Sequence, residues 1–361
     1  MPTAHAPTIL EISLAALKDN YKIILGRTKA KAAGVIKADG YGLGAAPVFK
    51  ALFEAGCRDF FVATPDEAAQ IRDIDKTVRI FVLGGLYKGA EDFYLAHNIV
   101  PVLASIEQIE QWSQHGAEKL IPAAIHFDTG MNRLGLGSDE TEYLLQNLQI
   151  LKNFDLQLAM SHFACSDEKD NPMNIQQNAI FMRIAQRFPN VAKSLCNSSG
   201  IFRDVAWHYD LVRPGFALYG GNPTPEAVNP MLPVVSLKSR VLQTRKVKAG
   251  QSAGYGATHV FERDTMTATL AAGYADGFLR SGSNKAKFYW NGQPCPIVGR
   301  VSMDLIIVDL AAVKNAPPQA GDLMEVVGPH QDVDTFARDC GTIGYEILTD
   351  LGRRYHRVYT P

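Results

Sequence analysis

From about residue 10 to residue 220 the chain alternates short apolar runs with stretches of helical periodicity, which limits its folds more than any other feature. The candidate strands are 34–37, 60–63, 80–83, 100–103, 124–128, 158–163, 194–197 and 209–213. Between them, helical patterns cover 14–25, 46–55, 65–73, 106–114, 138–148 and 173–187, with Ser13, Thr64, Ser105 and Ser138 placed to cap four of them. Alternating strand and helix imply a parallel sheet, because a crossover is needed to start each new strand in the same direction. Eight units in roughly 210 residues suit a closed TIM-like (β/α)8 barrel, with an open doubly wound sheet as the alternative.

After Tyr219 the pattern changes. Asn222, Pro223, Pro225, Pro230 and Pro233 mark a linker, and β-type runs follow at 233–244, 265–272, 286–290, 293–297, 304–308 and 323–327. Asn291-Gly292 and Ala320-Gly321-Asp322 fit hairpin turns, and helical patterns close the chain near 335–339 and 343–351. The expected fold class is therefore α/β plus β: a (β/α)8 barrel over residues 1–225 and an all-β domain over 226–361.

Charged residues are 20% of the chain and the formal net charge is −1, so there is no basic field to attract nucleic acid. Residues 1–8 lack the pattern of a secretion signal, and no stretch approaches the ~18 uninterrupted apolar residues of a membrane helix. A cytoplasmic protein is expected. The five cysteines are scattered without a CxxC pair, which argues against both a disulfide framework and a zinc knuckle.

Chemistry in a barrel collects where strands end. The first strand runs out at Lys37, followed by Ala38-Asp39-Gly40-Tyr41-Gly42-Leu43-Gly44. An amine at the end of a buried strand loses hydration, which lowers its pKa and frees its lone pair to attack a carbonyl. Glycines beside it could bring backbone N–H groups close to a phosphate, so the pair suits pyridoxal phosphate. Two plainer readings compete. Gly40-x-Gly42-x-x-Ala45, with Asp59 downstream, formally matches a dinucleotide-binding turn, and Lys37 could simply reach from a strand end to solvent. The later strands end in His126-Phe127-Asp128-Thr129-Gly130-Met131-Asn132-Arg133, Ser161-His162-Phe163, Asn197-Ser198-Ser199 and Arg213-Pro214-Gly215. Five strand ends of this polarity are not explained by packing.

These residues also resemble a known family. Val35-Ile36-Lys37-Ala38-Asp39-Gly40-Tyr41-Gly42 is similar to the pyridoxal-phosphate lysine motif of alanine racemases. Similar too are the segments 128–135, 161–164, 197–199 and 213–220, then Gly273-Tyr274-Ala275-Asp276-Gly277 and Gly299-Arg300-Val301-Ser302-Met303-Asp304, in family order along nearly the whole chain.

The resemblance implies that Lys37 holds the cofactor covalently and, once displaced by substrate, acts as a base on one face of Cα. It implies that Tyr41, Asn197, Ser198, Tyr345 and the Gly215 and Phe216 N–H groups bind the cofactor, chiefly its phosphate. Arg213 would face the pyridine nitrogen; a guanidinium has no lone pair to take a proton, so the ring stays a weaker electron sink. That favours returning a proton to Cα over transamination. His162 would support the ring or Arg213, and Arg133 would approach the cofactor's phenolic oxygen and the substrate carboxylate. Inversion needs a base on the opposite face; the resemblance assigns it to Tyr274 of a partner subunit, with Met303 offering a backbone N–H to the carboxylate. A homodimer follows.

One departure stands out: many family members carry a lysine, often carbamylated, where this chain has His126, so Arg133 must be held by something else, Asp128 being one candidate. The resemblance implies interconversion of L- and D-alanine, the D form feeding peptidoglycan. A broad-specificity or serine racemase is the near alternative. An NAD(P)-dependent oxidoreductase is a remote one, and a non-catalytic pyridoxal-phosphate carrier would lack the second domain and Tyr274.

Overall fold

A computed structural model describes residues 5–116 and 119–361. Its strands are β1 (Thr8–Ser13), β2 (Lys31–Ala32), β3 (Gly34–Val35), β4 (Asp59–Val62), β5 (Arg79–Val82), β6 (Val100–Leu103), β7 (Ile121–His126), β8 (Phe154–Met160), β9 (Ala192–Ser194) and β10 (Leu211–Val212). They continue with β11 (Val235–Val247), β12 (Ser252–Ala253), β13 (His259–Val260), β14 (Thr265–Leu270), β15 (Lys287–Trp290), β16 (Gln293–Pro296), β17 (Ile306–Asp309), β18 (Leu323–Val327) and β19 (His356–Thr360). The helices are α1 (Leu14–Arg27), α2 (Lys37–Tyr41), α3 (Ala45–Glu54), α4 (Pro65–Ile74), α5 (Glu91–Ala96), α6 (Ile106–Ser113), α7 (Ser138–Gln146), α8 (Pro172–Ala185), α9 (Ser198–Ile201), α10 (Val333–Asp339) and α11 (Gly344–Thr349).

Strands β3 to β9 form one parallel sheet in chain order. Every residue of β4 and β6 is buried, as expected for parallel strands covered on both faces. Main-chain hydrogen bonds close the ring. The Asp210 and Arg213 N–H groups donate to Lys193 O (3.1 Å) and Cys196 O (2.9 Å), while the Ala33 and Val35 N–H groups donate to Val212 O (2.9 Å) and Pro214 O (3.1 Å). The first barrel strand is thus split into β2 and β3 and the eighth is the short β10, giving the expected TIM-like barrel.

Several strands end earlier than the apolar runs suggest. β8 stops at Met160 and β9 at Ser194, yet Phe163, Leu195 and Cys196 beyond them remain buried. Because the barrel mouth is covered, apolar character continues past the ladder and does not mark its end.

Three of the four expected caps form: Ser13, Thr64 and Ser105 accept the N–H groups of Ala16, Glu67 and Gln108. Ser138 does not. It is the first residue of α7, which Gly137 precedes as cap, and its hydroxyl donates to the Asp139 carboxylate instead (3.1 Å).

The second sheet has the order β16-β15-β18-β11-β1-β19, with β14 pairing both β11 and β17. The Asn291-Gly292 turn joins β15 to β16 with both residues at positive φ (46° and 78°), the geometry of a type I′ hairpin. The turn at Gly321 makes no hairpin, because β17 pairs with β14 while β18 pairs with β11 and β15. The sequence reading left β1 and β19 outside its strands. Both lie in this sheet, β1 antiparallel to β11 and parallel to β19.

The turn that follows β3 positions the site. Ala38, Asp39, Gly40, Tyr41 and Gly42 all have positive φ, from 53° to 77°. L-residues in this left-handed region cost roughly 1–2 kcal/mol each, so the turn requires outside support. Glu67 supplies one tie, accepting the Ala38 N–H (2.6 Å) with one carboxylate oxygen and the Ala63 N–H (2.7 Å) with the other. Asp39 accepts the Ala45 N–H at the start of α3 (2.7 Å). From the second sheet, Arg357 donates to Gly42 O (3.0 Å) and Tyr359 to Leu43 O (2.8 Å).

A methyl group on Gly42 would lie 2.0 Å from Leu348 O, whereas at Gly56, also at positive φ (101°), it would meet nothing within 4 Å. Gly56→Ala is therefore expected to cost about 1–2 kcal/mol of unfolding free energy, and Gly42→Ala clearly more. Urea denaturation of the two variants, side by side, measures the difference.

Candidate active site

At the C-terminal mouth of the barrel a cavity of about 820 Å³ is lined by Lys37, Tyr41, Arg133, His162, Asn197, Ser198, Arg213, Gly215, Phe216 and Tyr345, together with His126. Ten of the twelve singled-out residues thus converge on one space. A hollow of about 590 Å³ at the opposite end holds Lys29, Lys31, Arg79 and Lys193 and none of the candidates.

Lys37 is the first residue of α2, immediately before the left-handed turn. Burial, reinforced by the Arg133 guanidinium, pulls its ammonium below the usual lysine range, while Glu67 acts in the opposite sense. The strand-end argument holds for the amine but not for the glycines. The N–H groups of Gly40, Gly42 and Gly44 donate to Ile36 O (2.9 Å), Ala38 O (2.8 Å) and Asp39 O (2.8 Å), so they close the turn upon itself and cradle no phosphate. Asp59 likewise is no ribose ligand: it starts β4 at the other end of the barrel and pairs with Arg79 (2.5 Å).

The opposite wall is built by α9 and the loop after β10. Asn197 caps α9, accepting the Gly200 N–H (3.0 Å) and the Ser166 hydroxyl (2.7 Å). Ser198 Oγ accepts the N–H groups of Gly215 (3.0 Å) and Ala217 (3.2 Å), which ties the two segments together. A Cβ on residue 215 would lie 2.3 Å from the Tyr41 hydroxyl, so only glycine lets that hydroxyl approach the backbone. Tyr345 stacks on Phe216 with centroids 3.9 Å apart, and Tyr41 stacks on Tyr219 at 4.5 Å.

Arg213 is buried at the cavity floor. One guanidinium nitrogen donates to Ser194 Oγ and another to Ser161 O (2.5 Å) and Leu195 O (3.3 Å), with His162 Nδ1 at 3.3 Å. Burial lowers its pKa to about 10, so it stays charged at neutral pH. Burial and Arg213 together hold His162 well below the usual histidine range, and the same causes take His126 down to about 4. Both imidazoles are neutral near pH 7, so Lys37, Arg133 and Arg213 are the remaining basic side chains among those lining the cavity. Asp128 holds Arg133 through the main chain: its carboxylate accepts the N–H groups of Gly130 (2.7 Å) and Arg133 (3.2 Å).

Tyr274 and Met303 do not line this cavity. They lie in the second sheet's loops, 45% and 53% exposed, with the Tyr274 and Ala275 N–H groups donating to Ser302 O and Met303 O (3.0 Å each). Sequence reasoning missed two supports. Glu67 was hidden as a capping-box residue of α4, a role it also fills. Gln177 is fully buried on α8; it donates to His162 O (2.9 Å) and Thr129 Oγ1 (3.2 Å) and accepts the Ala164 N–H (2.9 Å). The signal was there: Asn174 and Gln177 are polar residues on the same face of α8 as Phe181 and Ile184.

Comparison with known proteins bears directly on this arrangement. The profile of the alanine racemase N-terminal domain matches residues 12–223, and that of the alanine racemase C-terminal domain matches residues 234–359. The chain belongs to the alanine racemase family. A catabolic alanine racemase of Agrobacterium fabrum is 49% identical over 97% of this chain and 91% of its own length. The crystal structure of the Bartonella henselae alanine racemase with covalently bound pyridoxal phosphate matches with a TM-score of 0.95 at 40% identity, covering 98% of this chain and 100% of that one. The biosynthetic alanine racemase of Pseudomonas aeruginosa gives 0.92 at 32% identity, over 99% and 100%. Among the described residues of this alanine racemase family member, no helix is long and apolar enough to cross a membrane.

The buried histidines set an acid limit on the fold. The unfolded chain binds a proton at His126 near pH 6.5, whereas the folded chain refuses it until about 4. Stability is therefore intact above the unfolded value and lost as pH falls from about 6.5 to 4, by roughly 3 kcal/mol from this residue. Urea titrations across that range are expected to show a shallower pH slope in His126→Asn than in the parent.

Proposed function

We propose that this protein interconverts L- and D-alanine with pyridoxal phosphate bound at the barrel mouth, and that it works as a homodimer. The observation that carries this reading is a half-buried, pKa-lowered lysine amine sharing a cavity with the hydroxyls of Tyr41, Ser198 and Tyr345 and with the Arg213 guanidinium.

The cavity suits the cofactor on its own chemistry. Its basic side chains outnumber the two lining carboxylates, Glu346 and Asp350, which favours an anion, and Gly215 lets the Tyr41 hydroxyl approach the main chain to which Ser198 Oγ is bonded, so hydroxyl donors stand side by side there. Lys37 would hold the aldehyde carbon, and Tyr41, Asn197, Ser198, Tyr345 and the Gly215 and Phe216 N–H groups the phosphate end. Pyridoxal phosphate, when bound, supplies the electron sink that lets a Cα proton leave.

The protein's part is to bind the carboxylate and move the proton. Arg133 pairs with the substrate carboxylate, which the Met303 N–H of the partner subunit also meets. The Lys37 amine takes or returns a proton on one face of Cα, and Tyr274 of the partner subunit does so on the other. Tyr274 and Met303 lying exposed, side by side and away from their own chain's cavity supports a role across a dimer. Arg213, which donates only, keeps electron density near Cα and so favours reprotonation there; His162 supports it. Of the expected 1–225 domain, residues 14–225 serve to bind the cofactor, while β1 joins the sheet of 226–361, the domain that completes the partner's site. We place the enzyme in the cytoplasm, supplying D-alanine for peptidoglycan.

Purified protein loaded with the cofactor is expected to be yellow, and to lose that visible band on borohydride treatment or in Lys37→Ala. A band that survives Lys37→Ala removes Lys37 from the reading. In deuterated water, Tyr274→Phe is expected to suppress racemisation while Cα exchange persists for one enantiomer and falls for the other. Equal, small changes in both would exclude Tyr274 as a base.

A further inference from the structure

The loops carrying Tyr274 and Met303, already tied by the Tyr274 and Ala275 N–H groups, are also bridged by an arginine that the reaction as described does not use. Asp276, two residues after Tyr274, is fully buried, and its carboxylate takes a two-pronged grip from Arg354, through Nε (2.7 Å) and Nη2 (2.9 Å). The same carboxylate accepts the Gly273 N–H (2.9 Å), so it fixes the turn from both ends. The remaining nitrogen of Arg354 donates to Asp304 (2.6 Å), the residue after Met303. One planar guanidinium therefore spans the two turns, with a bidentate bond on one side and a single bond on the other. Between the turns the packing leaves no room. A Cβ on Gly273 would lie 2.1 Å from Met303 O.

We propose that Arg354 is a positioning residue for the racemase, holding Tyr274 and Met303 as one rigid unit to be presented to the partner's cavity. This rests on the reading of Tyr274 as the second base. The physical argument is that both side chains are otherwise exposed on short turns. Such turns hold a base to within a fraction of an ångström only if their main chain is fixed, and a misplacement of about 1 Å can cost on the order of 10²-fold in rate. A neutral or shorter side chain at position 354 cannot span two carboxylates. It would leave Asp276 buried without its cation and leave two main-chain hydrogen bonds alone to keep the turns in register.

The test compares Arg354→Gln, Arg354→Lys and the milder Asp304→Asn, which cuts only the half-exposed end of the bridge, with Tyr274→Phe in the same dimeric holoenzyme. Arg354→Gln is expected to lower kcat for racemisation by about 10- to 100-fold with KM little changed. It should also skew Cα deuterium exchange between the enantiomers in the same sense as Tyr274→Phe. The visible band of the cofactor at Lys37 should be unchanged. Arg354→Lys and Asp304→Asn are expected to fall between, and Arg354→Gln placed on Tyr274→Phe should add no further loss. In the cofactor-free protein, amide exchange over 272–278 and 301–305 should speed up in Arg354→Gln while the barrel segments keep their rates. Loss of the cofactor band, or an equal drop in exchange for both enantiomers, would mean a general structural role and overturn the proposal; so would a fully additive double variant. If Tyr274→Phe itself leaves exchange unskewed, the two-base reading fails and Arg354 falls with it. An unskewed Arg354→Gln beside a skewed Tyr274→Phe overturns the positioning role alone.

Discussion

The site depends on one primary amine that is held half out of water at the barrel mouth. Taking an ammonium group out of solvent is costly, and the chain relieves that cost by letting Lys37 give up its proton more readily rather than by pairing it with a buried carboxylate. Glu67, the nearest acid to bear on Lys37, spends both oxygens on main-chain N–H groups. The result is an amine whose surroundings favour the charged form less than water does. The fold serves that end: the barrel walls take away part of the amine's hydration, the left-handed turn ends the strand abruptly, and the second sheet braces the turn through Arg357 and Tyr359.

The other cations follow the same logic with a different outcome. Arg213 is buried, yet its guanidinium remains charged because its ordinary pKa is high enough to absorb the penalty, and carbonyl and hydroxyl oxygens accept from it. The neighbouring imidazoles start from a lower value and lose their charge. One environment thus sorts its basic side chains into charged and neutral by their intrinsic basicity. Arg133, at the exposed edge, is placed by its main chain, with Asp128 organising the loop from below.

Much of this was legible in the residues. Period and spacing gave eight barrel strands, polar strand ends gave the cavity's lining, and Asn291-Gly292 gave a hairpin. What stayed hidden has physical causes. The glycine turn looks like an anion cradle because sequence shows absent side chains but not where N–H groups point, and here they point inward. Ser138 has the right identity for a cap but sits one residue too far along. β1 escaped because its apolar residues merge with the helix that follows, so no break announces a strand, and its partners lie more than two hundred residues away. Glu67 and Gln177 act through main-chain groups, which carry no letter of their own.

The placement of β1 reaches beyond the site. This strand lies between β11 and β19, so residues 8–13 are gripped by 235–239 on one side and 356–360 on the other. As the chain is made, β1 waits long for both neighbours, since its parallel partner lies more than three hundred residues further on. Until then an apolar edge must be kept from pairing elsewhere, a hazard of sheets built from distant contacts. Cutting the chain in the linker would not release two self-sufficient pieces, because the leading fragment would carry away an interior strand of the trailing one. The two halves are thus sewn together by their ends.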